Sequence, residues 1–495
     1  MTYQPIEKNI ETSLDKVLEL MNPANFEVKL PGHHLHERIF EVTKGDRQYE
    51  FNSSSKILKG VQTDNEIQFD GKTIVELKKP KFRLFSQGKH ILVNRISYNE
   101  EWTEKIFSGS ISSFSTTKHF NEFDGNFLRM IIPCGEKEPF NIHQFQRRYF
   151  ITPNKKSTFF LTITISSTDF HLFNYKLGGE YYLIIDCINK LKLQEFQKKC
   201  FNVLLSLGFI NGNLIHDECY ILAYDKASMI APMNISYNSM RVSVQSNQGV
   251  FTTNPFSVNS DIDFPRDEKG IIKKEYNDKL YKDIIDFPED VFSNMTTLFY
   301  EQEKMQRAAL LYIQGHVSSL EMRIPNYYVA IEAITGYVSS QLTLEKKSLN
   351  PIKDKKLATE LINQIKEITK KLKEDNGVSD ENFQLEIIEK NIAKLNAPPN
   401  ADKLSESFTF LGIELTSEQK NILKERNRFL HGSFLKTIDD DKAFREALHC
   451  SLRLHFMIAI LILKIAGFSG KIINYAELWS HMTERTLNEE RLVKI

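Results

Sequence analysis

The chain has 495 residues, of which 41% are hydrophobic and 26% are charged, and this composition excludes a mainly disordered or fibrous protein. At roughly 150 residues per domain, the length predicts two or three domains. Lys and Arg together number 64, as do Asp and Glu. No net charge therefore draws the whole chain to nucleic acid or to an anionic membrane, and any such attraction requires a local patch.

The five cysteines are scattered and form no CxxC pair, so the sequence predicts neither a disulfide framework nor a zinc ribbon. The N-terminal residues lack a basic segment that leads into an apolar run, and no secretion signal is expected. The most apolar stretch, 456–463, is far shorter than the roughly 20 residues that span a bilayer, which favours a buried helix. We predict a cytoplasmic protein that needs no membrane, metal or cofactor.

Residues 1–225 are predicted to form a β-rich domain, because short apolar runs of period two recur there between turn sequences such as 124–126 and 178–179. One helix interrupts this pattern, with an apolar stripe at helical spacing that is expected to end near Gly208. A sandwich or barrel-like fold that carries a packed helix fits best. The clearest strand-like runs are 73–77, 127–132, 159–165 and 181–185.

The hydrophobic period changes to 3.6 beyond about residue 285. Residues 226–285 are predicted to be a connecting segment, and 286–495 an all-helical domain, which makes the chain an α+β multidomain protein. Thr416 and Gln419 have the spacing of a capping box that opens a helix ending at Gly432. A lysine-rich helix is expected at 353–375, with a stripe of five apolar residues: Leu357, Leu361, Ile365, Ile368 and Leu372.

On the helix that follows Thr416, the centre of the apolar stripe is occupied by Arg426. A guanidinium keeps its charge at any useful pH, so within a buried stripe it needs a carboxylate partner or an anionic ligand. Asn427 and His431, spaced i and i+4, share one flank of the helix beside that arginine. Three polar side chains are thus predicted to converge near a helix end.

The stretch from Arg426 to His431 matches the Arg-x(4–6)-His signature, with a polar residue straight after the arginine, of ribonucleases in the HEPN superfamily. It lies in an all-helical region, precedes Gly432 and a long apolar helix at about 442–466, and follows a β-rich domain. The helix at 326–334 looks like the opening helix of the same group. The chain therefore resembles the Apea-like HEPN proteins, which are bacterial anti-phage effectors.

This resemblance implies a helical bundle that cleaves RNA without a metal, as a homodimer in which two signatures face each other across a two-fold axis. Arg426, His431 and Asn427 take the catalytic positions. RNA supplies its own nucleophile, the 2′-OH, so the expected products are 2′,3′-cyclic phosphate and 5′-hydroxyl ends. The implied biology is abortive infection, with host RNA, tRNA first, as the target and a phage-derived trigger acting on the N-terminal domain.

Glu332 is the only charged residue between Arg323 and Glu345, on a helix that is apolar on nearly every side. We expect it to be desolvated, and a buried carboxylate needs a cation or several hydrogen-bond donors. Because Arg426 is the other charge within an apolar stripe, we hypothesise that Glu332 supports the site as its partner.

Contacts to the RNA backbone are assigned to Arg428 and to Lys366 and Lys370 of the lysine-rich helix. Acidic residues such as Glu360 and Glu367 alternate with these lysines, which favours a solvated face over an RNA-binding one.

Two other functions remain open. In the first, the helical domain is a non-catalytic HEPN binding or scaffold module, and the β domain binds a protein or nucleotide ligand; replacing His431 distinguishes it from the nuclease. In the second, the N-terminal domain is a metal nuclease, because Asp70, Glu76 and Lys78 imitate such a site. That function predicts that chelation stops cleavage.

Overall fold

The structure is a computed structural model. It describes residues 6–31, 33, 35–46, 48–56, 69, 72–80, 82–98, 104–215, 218–239, 249–259, 262–344, 350–397, 400–430 and 441–495. The chain divides into two compact units. Unit 1 comprises Met1–Glu301, Ala466–Ile473 and Leu492–Ile495, and unit 2 comprises Gln302–Ile465 and Asn474–Arg491. The expected α+β organisation is confirmed, with a large antiparallel sheet region followed by a helical region.

Unit 1 is built on a 16-stranded sheet with the order β1-β11-β12-β13-β14-β10-β15-β16-β9-β6-β5-β2-β3-β4-β8-β7. Its strands are β1 (Ile6–Glu7), β2 (Ala24–Lys29), β3 (Ile39–Lys44), β4 (Tyr49–Lys56), β5 (Ile74–Lys79), β6 (Phe82–Gln87), β7 (Ile91–Tyr98), β8 (Glu104–Ile111), β9 (Ser113–Ser115), β10 (Phe127–Gly135), β11 (Arg148–Ile151), β12 (Ser157–Ile165), β13 (Thr168–Leu177), β14 (Glu180–Cys187), β15 (Glu218–Tyr224) and β16 (Asn234–Ser239). The β1–β11 pair is parallel and the other pairs are antiparallel.

The period-two runs are strands, as predicted: they coincide with β5, β10, β12 and β14, except that Thr73 precedes β5. In β3 the alternation is visible directly, since Phe40 and Val42 are buried while Ile39 and Glu41 are exposed. The turn between β13 and β14 needs positive φ angles, which Gly178 (61°) and Gly179 (97°) supply. A central strand such as β15 is buried along its whole length, because both of its faces are covered.

Four α-helices accompany the described strands of unit 1: α1 (Glu11–Met21), α2 (Leu193–Asn211), α3 (Lys274–Tyr281) and α4 (Glu289–Glu301). The predicted helix is α2, but its predicted end at Gly208 is wrong. The helix continues to Asn211 and stops at Gly212, whose φ is 75°. Gly208 permits a close approach instead, because a Cβ there would lie 3.0 Å from the carbonyl oxygen of Asn213.

Unit 1 extends beyond the boundary that the sequence placed near residue 285. Helix α4 belongs to it because it packs on α2 and β12: Thr296 Oγ1 donates to Ser206 Oγ (3.0 Å), and the Thr162 amide donates to Glu289 Oε1 (3.1 Å). Two late strands, β17 (Lys471–Ile473) and β18 (Leu492–Lys494), also belong to unit 1 and pair antiparallel with each other.

Unit 2 is helical where the structure describes it. Its α-helices are α5 (Glu303–Val317), α6 (Leu320–Leu344), α7 (Lys355–Asp375), α8 (Leu385–Ile392), α9 (Asn400–Phe410), α10 (Ser417–Lys424), α11 (Arg426–Leu430), α12 (Asp441–Ile465), α13 (Tyr475–Leu478) and α14 (Ser480–Thr483). By length and composition α12 could cross a membrane, but 89% of its most apolar window is buried within the fold. The stretch 456–463 is thus a core helix, as predicted.

Helix α7 forms where the lysine-rich helix was expected, and Asp354 caps it by accepting from the amides of Lys356 and Leu357 (2.8 and 3.2 Å). Its apolar stripe does not enter a core, however. Leu357, Leu361, Ile368 and Leu372 are between 41% and 66% exposed. The helix packs against α8, so it is amphipathic without burying most of its apolar face.

Candidate active site

The segment that carries Arg426 begins with the predicted capping box. The Gln419 amide donates to Thr416 Oγ1 (3.2 Å), and the Thr416 amide donates to Gln419 Oε1 (2.9 Å). The prediction of one continuous helix is wrong, because α10 and α11 are separated at Glu425. The Glu425 amide is shared between the carbonyl oxygens of Asn421 (3.2 Å) and Ile422 (3.1 Å), which tightens the last turn of α10.

Helix α6 holds this junction in place through Tyr328. The buried Tyr328 hydroxyl donates to the carbonyl oxygen of Ile422 (2.6 Å), and its ring lies 5.9 Å from that of Phe429. Burial raises the pKa of Tyr328, which keeps the hydroxyl protonated as a donor. Glu332, four residues further along α6, shares the same face of the helix. The anchoring tyrosine therefore also directs Glu332 toward α11.

Arg426 and Glu332 are ion-paired through Nε and Oε1, as hypothesised from the sequence. Arg426 Nη1 also donates to Asn427 Oδ1 (2.7 Å). The three polar side chains thus form one hydrogen-bonded group. Nη2 donates to no acceptor among the described residues, so the guanidinium retains hydrogen-bond donors for an anionic ligand.

The expectation that Glu332 is desolvated is wrong in degree. Its side chain is 34% exposed and that of Arg426 is 20% exposed. Asn427 is exposed. A half-buried pair of this kind is reachable from solvent. The site is consequently a surface feature at a helix junction rather than an ion pair sealed in the core.

The remaining predicted residues do not all join this group. His431 lies outside the described residues, as do Gly432 and Asp70. Arg428 is exposed and lies 3.5 Å from Glu425 in an ion pair. Lys366 and Lys370 lie on α7, which packs against α8 and not against α11.

A charged network next to α11 was missed by the sequence analysis. Buried Arg453 of α12 donates from both terminal nitrogens to Glu489 (2.6 Å each) and from Nη2 to Glu418 (3.2 Å). Glu418 also accepts from Arg485 (2.8 Å) and contacts His449 Nε2 (3.0 Å). Burial lowers the pKa of His449 to about 4 despite the charge of Glu418, so the ring is neutral near pH 7.

A cavity of about 430 Å³ lies between this network and α11, and the residues that line it include Arg428, Phe429, Glu446, His449 and Arg485. In the neutral His449 ring, Nε2 carries the proton toward Glu418, and Nδ1 has no partner among the described residues. The cavity beside α11 is lined by both cationic and anionic side chains, Arg428 and Arg485 on one hand and Glu446 on the other.

Comparisons with protein-family models, with curated proteins and with solved structures found no match.

Proposed function

We propose that this chain is a metal-independent endoribonuclease of the HEPN type that acts in anti-phage defence by abortive infection. Its substrate is host RNA, with tRNA as the first candidate, and its working form is a homodimer through the helical domain. The observation that carries the proposal is the group formed by Arg426, Asn427 and Glu332 at the start of α11, at the positions where the family signature has its arginine and polar residue.

The chemistry follows from these side chains. Cleavage turns the RNA 2′-OH into the nucleophile, and charge accumulates on the phosphate oxygens in the transition state. Arg426 offers Nη2 donors to those oxygens, while Glu332 accepts from Nε and fixes the orientation of the guanidinium. Asn427 Oδ1 accepts from Nη1. His431 moves the proton, since an ordinary imidazole titrates near neutral pH.

The test is cleavage of total tRNA by the purified full chain in excess EDTA. Wild type is compared with His431→Ala and Arg426→Ala, and with two matched controls at exposed positions of the same unit, His481→Ala and Arg307→Ala. We expect the wild type and both controls to release cyclic-phosphate products and both signature variants to lose activity by about a hundredfold or more.

The outcomes separate the candidate functions. Cleavage that stops in EDTA would point to a metal nuclease, and equal EDTA-resistant cleavage by all five proteins would place the site elsewhere. If the folded wild type cleaves no RNA even with phage lysate added as a trigger, the non-catalytic module is favoured. Growth arrest on induced expression of wild type, absent with His431→Ala, checks the proposed biology.

A further inference from the structure

The two halves of the sheet in unit 1 meet at the three-residue strand β9. Ser115 of β9 pairs with Ser236 of β16 on one side and with Phe85 of β6 on the other. A cleft of about 760 Å³ opens at this junction, lined by the ends of β5, β6 and β16 and by residues that follow β9. Its volume lies within the range of small-molecule sites, which is roughly 300–1,000 Å³.

The cleft is strongly basic in a chain whose net charge is zero. Five cations line it, Lys16, Lys78, Lys79, Arg83 and Lys118, against one carboxylate, Glu122. Such a concave concentration of one sign raises the local concentration of anions. It is the kind of local patch that a neutral chain needs in order to attract a polyanion.

Two of these cations, Lys78 and Lys118, are available to a ligand. Lys16 is paired with Glu19 (2.8 Å), and Arg83 lies at 3.5 Å from Glu76. In the described part of the chain no carboxylate lies within ion-pair distance of Lys78 or Lys118, and both side chains are exposed. Like charges gathered in this way repel one another until an anion binds, and phosphate oxygens satisfy both lysine and arginine donors.

Two further features of the cleft point to more than a simple anion. Phe85 lines it, is half-buried, and lies on the same face of β6 as Arg83, because side chains alternate along a strand. Thr117, which is 6% exposed, has a buried hydroxyl with no hydrogen-bond partner among the described residues. An unpaired buried hydroxyl is costly, and a polar group of a ligand would satisfy it.

We propose that this cleft binds a nucleotide, with the phosphates on Lys78, Arg83 and Lys118 and the base against Phe85. Phosphate accounts for the cations, a planar base accounts for the half-buried aromatic ring, and the volume suits one nucleotide rather than an extended strand. Unit 1 thereby carries a ligand site of its own. The proposal does not depend on the nuclease, because its residues are separate from Arg426 and binding is measured without RNA cleavage.

The experiment is calorimetric titration of the purified full chain with ATP, chosen as the probe because aromatic stacking tolerates any base. Adenosine, inorganic triphosphate and a single-stranded oligoadenylate RNA are titrated in parallel. The binding variant is Lys78→Gln/Arg83→Gln/Lys118→Gln, and its matched control is Lys89→Gln/Lys137→Gln/Lys274→Gln, which removes three exposed cations of unit 1 outside the cleft. Thermal unfolding verifies that both variants are folded.

We expect ATP to bind wild type and the control equally, and to bind the triple variant about tenfold or more weakly. Phe85→Leu, which keeps apolar volume but removes the ring, is expected to weaken the binding of ATP without affecting that of triphosphate. The proposal is overturned if ATP does not bind wild type, if the folded triple variant binds as well as wild type, or if triphosphate binds as tightly as ATP. If the oligoadenylate binds and ATP does not, and the triple variant loses that binding, the cleft is an RNA groove and the proposal is equally overturned.

Discussion

Arg426 and Glu332 are joined across two helices, and each was singled out in the sequence because it is a charge set in an apolar pattern. The structure pairs them but leaves both side chains partly exposed, so the pair is not a sealed core element. A partly exposed ion pair contributes little to stability, typically about 0–1 kcal/mol. Its larger effect is to fix the orientation of the guanidinium, which matters if Arg426 contacts a phosphate.

Replacing Glu332 therefore separates positioning from stability. We expect Glu332→Gln to change the free energy of unfolding by less than about 1 kcal/mol. We expect the rate of RNA cleavage to fall by about tenfold or more, because a small misplacement of a binding group is costly in the transition state. Urea unfolding and single-turnover cleavage measure the two effects, with exposed Glu386→Gln of α8 as the control. Unchanged cleavage would assign Glu332 a purely structural role.

His449 provides a pH-dependent contribution to stability. Burial lowers its pKa to about 4 in the folded chain, against 6.5 for an ordinary histidine, so the unfolded chain binds the extra proton first as the pH falls. The contribution of neutral His449 is complete above pH 6.5 and is lost progressively between pH 6.5 and pH 4. The charged groups that face it are Glu418, Arg453 and Arg485.

Replacement by a group that does not titrate should remove this dependence. The free energy of unfolding of wild type falls between pH 7 and pH 5. We expect this fall to be smaller in His449→Gln by on the order of 1–2 kcal/mol. Urea unfolding of unit 2 helices at the two pH values, followed by far-UV circular dichroism, measures it. His481→Gln is the matched control because His481 is exposed. An identical pH dependence in wild type and His449→Gln would show that the buried ring does not titrate as argued.

At the scale of single elements, the capping box of α10 has a defined energetic role. Thr416 satisfies one amide of the first turn and Gln419 reciprocates, so Thr416→Ala leaves the Gln419 amide without its partner. We expect this change to cost about 1 kcal/mol, and Thr416→Ser to cost much less because it keeps the hydroxyl. Chemical unfolding of the three proteins checks the order, and equal stability of the alanine and serine variants would contradict it.

Local patterns predicted elements better than they predicted element ends and partners. The strands within β5, β10, β12 and β14 and the helix α2 follow from periodicity, because one buried face imposes its spacing on the sequence. The break at Glu425 follows instead from a shared amide hydrogen bond. The apolar stripe of α7 was predicted from its periodicity. Periodicity shows that a helix is amphipathic but not which element covers its apolar face, and four residues of this stripe are exposed.

The network around α12 could have been found with the criterion that found Arg426. Arg453 and His449 are polar residues, spaced i and i+4, inside a long apolar helix, and the structure gives them Glu418 and Glu489 as partners. Which carboxylates complete the network is not visible in the sequence, since those glutamates lie 31 to 36 residues away along the chain. The polar residues in an apolar helix can be seen in the sequence, but their partners can be identified only in the tertiary fold.

At the scale of the whole molecule, the division into units depends on long-range contacts that no local pattern encodes. The segment Ala466–Ile473 follows the long helix α12, yet it belongs to unit 1. Its Phe468 ring stacks at 5.2 Å on that of Phe287, and the Ile473 amide donates to the carbonyl oxygen of Val250 (3.1 Å). A change of hydrophobic period marks where helices begin, but it does not mark where one compact unit ends.

The proposed homodimer makes a prediction about the whole assembly. If one His431 acts as base and the other as acid, both copies are needed for each cleavage event. Mixed dimers of wild type and His431→Ala, isolated with two different affinity tags, should then retain far less than half of the wild-type rate. Mixed dimers of wild type and His481→Ala serve as the control and should be fully active. Half of the wild-type activity in the His431→Ala mixed dimers would instead mean that each chain cleaves RNA independently, with a single histidine sufficient for proton transfer.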